Sequence, residues 1–240
     1  GAHHAGAVVK LLVRRLRQAW PQVRITIRAD SGFCRRRLLS WCERHAVAYV
    51  IGLAKNKRLN RLASEPMAAV QAQFEVSGEK QRGFAEFSYA AKTWKRSRRV
   101  ILRSEYGAQG GNPRYIVTNR DDEAAGLYDT IYCQRGEMEN RIKEQQLGLF
   151  ADRTSCSRWW PNQFRLLEAA LAYVLMQGIR RVGLVGTDLA RAQCTTIRLK
   201  LFKIGAAIVG SVRRIQVLLS SACPYQEVFL TAAQRLRPSG

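Results

Sequence analysis

Residues 23–33, VRITIRADSGF, decide the fold that this sequence predicts. Apolar and polar side chains alternate up to Ala29, which is typical of a β-strand, and a Ser-Gly turn follows Asp30. Open α/β sheets place their chemistry at the carboxyl ends of their strands. The stretch therefore predicts Asp30 as a functional carboxylate at such an edge.

The segments on either side of this strand predict a β-α-β unit. Residues 6–19 have the pattern of a basic amphipathic helix. Its apolar face comprises Val8, Leu11, Leu12 and Leu16. Residues 33–45 predict a second helix, and residues 48–54, AYVIGLA, predict a short buried strand. A helix between two strands predicts a parallel pair with a right-handed crossover.

A series of β-prone segments begins after about residue 70. The segments are residues 74–90, 98–107 and 113–120, and they are interrupted by Gly, Asn and Pro. Together they predict an antiparallel β-rich insertion of about 50 residues.

The remainder of the chain predicts helices and a hairpin. A long helix is expected over residues 122–147, because the acidic residues 121–123 favour a helix N-terminus. A second, apolar helix is expected over residues 162–181. Residues 195–205 and 212–220 alternate apolar with polar or basic side chains, which predicts a closing hairpin before a short terminal helix. The predicted segments of the chain are residues 1–64, 65–121, 122–190 and 191–240.

Composition indicates a polyanionic partner. The chain has 40 Lys and Arg against 18 Asp and Glu, a formal net charge of +22. Nucleic acid is the commonest partner of so basic a protein, and an anionic membrane surface is the next. No membrane-spanning helix is predicted, because the most apolar stretch, residues 166–184, contains Glu168, Arg180 and Arg181 and so predicts a buried helix.

Cysteine and histidine usage predicts neither disulfides nor a zinc site. Six cysteines are scattered without a CxxC pair, and the three histidines complete no zinc spacing. No secretory signal pattern is present in the sequence. Buried free thiols in a reducing cytoplasm are therefore expected.

One face of the long predicted helix carries the side chains that favour chemistry. These are Tyr132, Arg135, Glu139, Lys143 and Gln146, at i, i+3, i+7, i+11 and i+14. One interpretation is a solvated face whose ion pairs contribute about a few tenths of a kcal/mol each. The other is that Glu139 meets Asp30 and that the two carboxylates hold Mg²⁺, with Mn²⁺ as the alternative ion. Paired metals activate water or a 3′-hydroxyl in phosphodiester displacement.

Several cations and aromatics are candidates for DNA contacts. The guanidinium of Arg135 is suited to bind a phosphate through two hydrogen bonds, and Lys143 can act on a phosphate as a point charge. The ring of Tyr132 can stack on a base. A second group comprises Arg35 and Arg36 beside the Asp30 turn, Trp94 and Lys95 in the insertion, and the basic track of Arg198, Lys200, Lys203, Arg213 and Arg214. The alternative for each is an ordinary basic surface or, for Trp94, a basic β-turn.

Two motifs in this order resemble a known family. RADSGF at residues 28–33, followed by the β-prone segments and YCQRGEMENRIKEQQ at residues 132–146, resembles the catalytic domain of bacterial insertion-sequence transposases of the DDE superfamily. Residues 41–59 and 147–177 extend the resemblance over most of the chain. Within this family the sequence resembles one subgroup in particular, whose last acidic residue lies in a Tyr-x2-Arg-x3-Glu signature. Tyr132, Arg135 and Glu139 match the spacing of that signature. That subgroup has a basic residue seven positions after the Glu, where this sequence has Gln146.

The resemblance implies a ribonuclease H-like α/β fold that cuts and joins DNA with Mg²⁺. It implies a homodimer acting on transposon ends and target DNA in the bacterial cytoplasm, at the nucleoid. Asp30 is then the second acidic residue of a triad and Glu139 the third. The first normally lies on an upstream strand, but no Asp or Glu precedes Asp30. We therefore expect an N-terminally truncated core that is inactive on its own.

Two further functions stay open at this point. One is a non-catalytic, DNA-binding transposase remnant, which follows from the missing acidic residue. The other is a basic protein of membrane surfaces or RNA, which the charge alone permits.

Overall fold

The computed structural model describes residues 4–237, without the side chain of Arg135. The described chain forms two compact units, with the boundary between Gly136 and Glu137. Each unit has its own hydrophobic core.

The first unit is a mixed α/β layer structure. Its helices are α1 (Ala5–Ala19), α2 (Arg36–Arg44), α3 (Lys57–Leu62), α4 (Ser64–Ser77) and α5 (Ala124–Gly126). Its strands are β1 (Thr26–Ala29), β2 (Ala48–Leu53), β3 (Gln81–Tyr89), β4 (Arg98–Gly107), β5 (Gly110–Gly111) and β6 (Arg114–Thr118). A 3-10 turn, Ser31–Phe33, follows β1, and a π-helical turn, Leu127–Tyr132, follows α5.

All six strands belong to one sheet, in the order β1-β2-β6-β4-β3, with β5 paired to β4. β1 and β2 are parallel, in a register that pairs Thr26 with Ala48 and Ala29 with Ile51, and the other pairings are antiparallel. The predicted β-α-β unit with a parallel pair is confirmed. The β-prone segments after residue 80 form strands of this same sheet.

The strand β2 shows why the sheet is stable. Tyr49 and Ile51 face a core that includes Leu39 of α2, and Val50 faces a second core that includes Leu127. All of these side chains are almost fully buried, and burying a large apolar side chain contributes about 1.5–3 kcal/mol. Helical segments therefore cover both faces of the strand that lies beside β1.

Two details of this unit differ from the sequence predictions. Residues 74–77, predicted as strand, form the last turn of α4, because Gly78 ends the helix in a left-handed conformation (φ +69°) with its amide bonded to the Phe74 carbonyl oxygen. In α1 the predicted apolar face is exposed, because Val9 and Val13 make the contacts with the core.

The second unit is helical except for one hairpin. It contains most of α6 (Arg135–Lys143), α7 (Trp159–Gly178), α8 (Cys194–Ile197), α9 (Gln226–Arg235) and the antiparallel hairpin of β7 (Ala206–Gly210) and β8 (Ile215–Leu219). The helices α6, α7 and α8 each continue into a π-helical turn; these turns are Glu144–Gly148, Ile179–Gly183 and Arg198–Phe202.

Two predictions for this part of the chain are wrong. The helix expected over residues 122–147 is interrupted at Cys133 and Gln134, between the π turn and α6. Residues 194–202 are helical rather than extended, because Cys194, Ile197 and Leu201 reach the core at helical spacing. The predicted hairpin and the terminal helix after it are confirmed. The second strand, β8, lies within the predicted residues 212–220, and the first strand, β7, begins one residue after the predicted segment 195–205.

The apolar stretch 166–184 is only partly buried, although it was predicted to be a buried helix. Ala169 and Met176 face the core, whereas the opposite face of α7 is exposed. The reason is that only one side of the helix has neighbours in this unit. All six cysteines are free thiols, but Cys133 is exposed, which corrects the expectation that all of them are buried.

Candidate active site

Asp30 lies directly after β1, at the carboxyl end of a strand that pairs in parallel with β2. Its Oδ1 atom accepts a hydrogen bond of 2.9 Å from the amide nitrogen of Gly32, so the carboxylate begins the 3-10 turn. The side chain is partly exposed. This local bond fixes Asp30 at the edge of the sheet that the alternating sequence predicts.

Gly52 brings Tyr132 close to the Asp30 turn. A Cβ atom at Gly52 would lie 2.6 Å from the hydroxyl oxygen of Tyr132 and 3.0 Å from the amide nitrogen of Ser31. Only a residue without a side chain fits between these groups. The Tyr132 hydroxyl and the start of the turn therefore both lie at the position that a side chain of Gly52 would occupy, a contact that the sequence AYVIGLA gave no reason to expect.

The π turn that carries Tyr132 is tied to β1. The Nη1 atom of Arg28 donates a 2.8 Å hydrogen bond to the carbonyl oxygen of Ile131. The rings of Tyr128 and Tyr132 lie 5.4 Å apart, and Tyr128 is buried in the second core of this unit. π-helical turns are frequent at functional sites because they reposition side chains. Here the turn places Tyr132 beside the Asp30 edge.

A cationic cavity lies beside the Asp30 turn. Its volume is about 650 Å³, and its charged lining residues are Lys10, Arg35, Arg36 and Arg37, without an acidic side chain. The Nε atom of Arg35 donates to the Gly32 carbonyl oxygen (3.1 Å), and Nη1 of Arg36 donates to that of Thr93 (3.1 Å). These bonds orient two guanidinium groups and leave N–H donors for an anion.

Trp94 and Lys95 have different environments. The Trp94 ring packs edge-on against Tyr89, with a centroid distance of 5.7 Å, and the guanidinium of Arg98 lies 4.9 Å from its centroid. Trp94 also packs against the first core of the unit, which accounts for this side chain structurally. Lys95 is exposed. A DNA contact stays a prediction for both residues.

Glu139 and Lys143 lie on α6, and both side chains are exposed. Asp30 and Glu139 lie in different compact units, and their convergence stays a prediction. The side chain of Arg135 lies outside the described part of the structure, so its predicted phosphate contact is not placed.

A buried carboxylate follows these residues. Glu144 receives hydrogen bonds from Arg180 at both oxygens, from Arg141 (3.2 Å) and from the backbone amide of Cys194 (2.8 Å). Burial by itself would raise the pKa of Glu144, but the bonds from Arg180 and Cys194 outweigh it, so the pKa lies below its usual value. Sequence reasoning missed Glu144, because its polar neighbours are typical of a solvated helix.

The cluster around Glu144 forms one wall of a polar cleft of about 580 Å³ in the second unit. The cleft is lined by the cations Arg141, Lys143 and Arg191 and by the amides and hydroxyls of Asn140, Gln193, Thr195 and Thr196. Glu137 also lines it. Within residues 4–237, neither Lys143 nor Arg191 forms an ion pair.

The residues of the predicted basic track are divided between two elements: Arg198 and Lys200 lie on a helical segment, and Arg213 and Arg214 lie in the turn of the hairpin. DNA binding by this track stays a prediction. The guanidinium of Arg198 lies 4.6 Å from the ring centroid of Phe150, and its Nη1 atom donates to the Gly148 carbonyl oxygen (2.6 Å). Lys200 lies over the ring of Tyr225 at 4.5 Å. Both cations are engaged inside their unit, because this segment is a helix rather than a strand.

The family model for "Transposase DDE domain group 1" matches residues 1–240. The chain belongs to this transposase family. A search of curated proteins found no match. Membership implies DNA binding, and it implies DNA transposition by strand cleavage and transfer, for which the family generally uses a divalent metal.

The two predicted acidic ligands are chemically suited to a divalent metal. Asp30 and Glu139 supply carboxylate oxygens, the ligands that Mg²⁺ prefers. Among residues 4–237, however, no group of three or more His, Cys, Asp or Glu side chains converges as a metal site.

No helix in the described range is both long enough and apolar enough to cross a membrane.

Proposed function

We propose that this chain is the catalytic region of an insertion-sequence transposase of the Tyr-x2-Arg-x3-Glu subgroup, in which Asp30 and Glu139 are two of the Mg²⁺ ligands. The family match over residues 1–240 carries the proposal. Mn²⁺ is the alternative ion. The bound metal supplies activation of water or a 3′-hydroxyl for attack on a phosphodiester. The protein acts on transposon ends and target DNA as a homodimer.

The Asp30 edge supports this assignment through its surroundings. The carboxylate lies at the carboxyl end of β1, and the cationic cavity of Lys10 and Arg35–Arg37 lies next to it. A phosphate in that cavity meets four positive charges without an opposing acid. In the proposed function, Arg35 and Arg36 bind the DNA backbone close to the metal, and Tyr132 contacts a base or phosphate beside Gly52.

The polar cleft of the second unit supplies further backbone contacts. Lys143 and Arg191 provide positive charge, and the Thr hydroxyls and the amides of Asn140 and Gln193 provide neutral donors. Contacts of this kind fix the register of a protein on DNA without reading its sequence. Arg135, Lys95 and Trp94 are proposed as additional DNA contacts from their positions in the sequence.

The missing acid favours a second candidate function. No Asp or Glu precedes Asp30, and the described residues contain no cluster of three metal-ligating side chains. In the first candidate, a third carboxylate comes from outside these 240 residues. In the second, the chain binds DNA without cutting it. Both candidates require an affinity for DNA that falls steeply with salt concentration, as the net charge of +22 predicts.

Iron-directed cleavage of the polypeptide tests whether the two acids share a metal. Fe²⁺ replaces Mg²⁺, and ascorbate with peroxide then cuts the backbone close to the bound ion. We expect two cuts, near residues 30 and 139, and we expect Asp30→Asn and Glu139→Gln each to abolish both. Glu137→Gln, at an exposed position two residues away on the same helix, is the matched control and should leave the pattern unchanged. Two cuts that respond independently to the two substitutions would refute a shared site.

Nicking of supercoiled plasmid separates the two candidate functions. We expect the 240-residue chain to bind the plasmid, with an affinity that falls steeply with salt, and not to nick it in Mg²⁺. Nicking that Asp30→Asn abolishes would show that the chain assembles a complete site by itself. Failure to bind DNA at low salt would contradict both candidates.

A further inference from the structure

The exposed face of α7 is unusually apolar for a helix on a protein surface. Its large side chains are Trp160, Phe164, Leu167, Leu171 and Val174, which are 78%, 62%, 58%, 61% and 64% exposed; we call them the α7 seam. On the opposite face of the helix Ala169 is buried, and Met176 belongs to the core of the unit. A helix that is apolar on all sides is normally buried.

We propose that the α7 seam is the dimer interface of this protein, on which α7 of a second copy packs in the antiparallel direction. This inference rests on the proposed function, which includes a homodimer, and it assigns the surface through which the two copies associate. The seam residues follow one another at intervals of four, three, four and three. An average interval of 3.5 residues is the spacing at which one helix presents a straight apolar line to another helix.

Charge also favours a second copy at this surface. Two chains that each carry +22 repel one another over most of their surface. The α7 helix contains one cation, Arg165, and one anion, Glu168, so its net charge is zero. The repulsion between two copies is therefore weakest where the apolar surface is largest.

The area of the seam matches what a dimer requires. A standard interface buries roughly 800 Å² on each partner. Trp160 and Phe164 each offer a large part of the roughly 150–250 Å² that an aromatic side chain buries. The three aliphatic seam residues, together with the exposed Trp159 and Leu175 beside them, bring the total to the order of this standard area.

The sizes of the seam residues favour the antiparallel direction. A two-fold axis at Leu167 sets Trp160 against Val174 of the second copy, and it brings Phe164 within one residue of Leu171 of the second copy. Towards both ends of the contact a large residue then lies near a smaller one, which fills space evenly. A parallel pair would instead set Trp160 against itself and Val174 against itself. Dimers with a two-fold axis present the same surface on both copies, as this seam does.

Sedimentation of the 240-residue chain over a range of micromolar concentrations tests the proposal. We expect a dimer for the unmodified chain and a dissociation constant raised by roughly 100-fold or more by Leu167→Glu, because the substitution puts two like charges in an apolar contact. Val182→Glu is the matched control: Val182 is also exposed and apolar, lies on the following π turn and is outside the seam. It should dimerise like the unmodified chain. Circular dichroism melting shows whether each variant is folded.

Mixing experiments keep the test independent of any loss of folding. Leu167→Glu and Leu167→Lys should each be monomeric alone and should form a mixed dimer when combined, because position 167 faces itself across the axis. Trp160→Cys should cross-link to Val174→Cys more readily than to itself; equal self-linking would refute the antiparallel direction.

Three results would overturn the interface. They are a monomer at every concentration, a Leu167→Glu variant that dimerises unchanged, and a monomer that instead uses the seam to bind anionic lipid vesicles. Plasmid binding by Leu167→Glu is measured separately. If the monomeric variant still binds plasmid with the affinity expected of one subunit, the DNA-binding function is supported independently of the dimer interface.

Discussion

The Asp30 edge and the Glu139 helix carry the two acids of one proposed site, yet they are held in different ways. Asp30 follows a strand of a six-stranded sheet, and its position depends on the turn bond to Gly32 and on the close approach at Gly52. Glu139 lies on an exposed nine-residue helix with a turn before it and a π turn after it. Apolar packing fixes the first region, and a buried ionic cluster next to α6 fixes the second.

The comparison teaches that one site can depend on two unrelated sources of stability. The sheet around β2 is stabilised by the burial of apolar side chains on both of its faces. The second unit places a carboxylate, Glu144, and a guanidinium, Arg180, where water is excluded. Each unit should therefore respond to substitutions that leave the other unchanged, and hydrogen exchange measured on peptides from each unit reports the two responses separately.

The largest expected effect comes from removing the buried carboxylate. Glu144→Ala leaves the buried charge of Arg180 without its partner, and we expect the free energy of unfolding of the second unit to fall by about 3–5 kcal/mol. Exchange should accelerate in peptides of residues 144–202 and not in β2. Replacing both residues by Leu should restore most of the stability, because the unpaired charge is then gone. Equal acceleration of hydrogen exchange in both units would contradict the inference that the two units are stabilised independently.

A smaller effect is expected from filling the space at Gly52. Gly52→Ala puts a Cβ atom 2.6 Å from the Tyr132 hydroxyl, and we expect a loss of about 1–3 kcal/mol in urea unfolding of the first unit. Tyr132→Phe should recover part of this loss, because it removes the atom that the new methyl group meets. Gly205→Ala, where no atom lies within 4 Å of the new Cβ, is the control. No recovery in the double variant would show that the clash is with the Ser31 backbone instead.

The pH dependence of stability distinguishes the ionic cluster from the apolar sheet. The folded pKa of Glu144 lies below its usual value, so its contribution to stability is fully present above the unfolded pKa, and it is lost as the pH falls through the folded pKa. Unmodified protein should therefore lose more stability on acidification than Glu144→Gln does. The two unfolding curves are compared at several pH values below the ordinary glutamate range. Parallel pH profiles would mean that the carboxylate is not stabilised by its partners.

The smallest effect is expected on DNA binding. Arg36→Gln removes one cation from the cavity beside Asp30, and the slope of log affinity against log salt should become shallower by about 1. Arg61→Gln, an exposed cation on α3 outside this cavity, is the control for general charge. Equal changes in both variants would mean that the charge of the whole surface, rather than the cavity, binds the backbone.

Much of the first unit was predictable because its signals are local. The alternation of residues 23–29, the turn after Asp30 and the apolar run of residues 48–54 each specify their own structure, and the parallel pairing of β1 with β2 follows from the helix between them. The helix α4 was not predicted, because its last turn lies in a β-prone run and only Gly78 marks the end of the helix.

The second unit was less predictable because its structure depends on distant partners. Glu144 is buried by Arg180, which lies 36 positions along the chain, and nothing in its own neighbourhood indicates this. The first unit contains one contact of this kind as well, since Gly52 meets Tyr132 across 80 residues of sequence. The helical character of residues 194–202 was available from the spacing of Cys194, Ile197 and Leu201, but the alternation of basic and apolar residues competed with it.

The hairpin of β7 and β8 has a consequence for the behaviour of the protein in solution. It is a two-stranded ribbon in which apolar residues such as Ile208 and Val209 are exposed on both faces. A ribbon of two strands is marginally stable in water, because few contacts oppose its opening. Its amides should exchange first in this unit, and trypsin should cut at Arg213 and Arg214 before it reaches the helices. The earliest proteolytic product is therefore a chain nicked at the hairpin tip, with both units still folded.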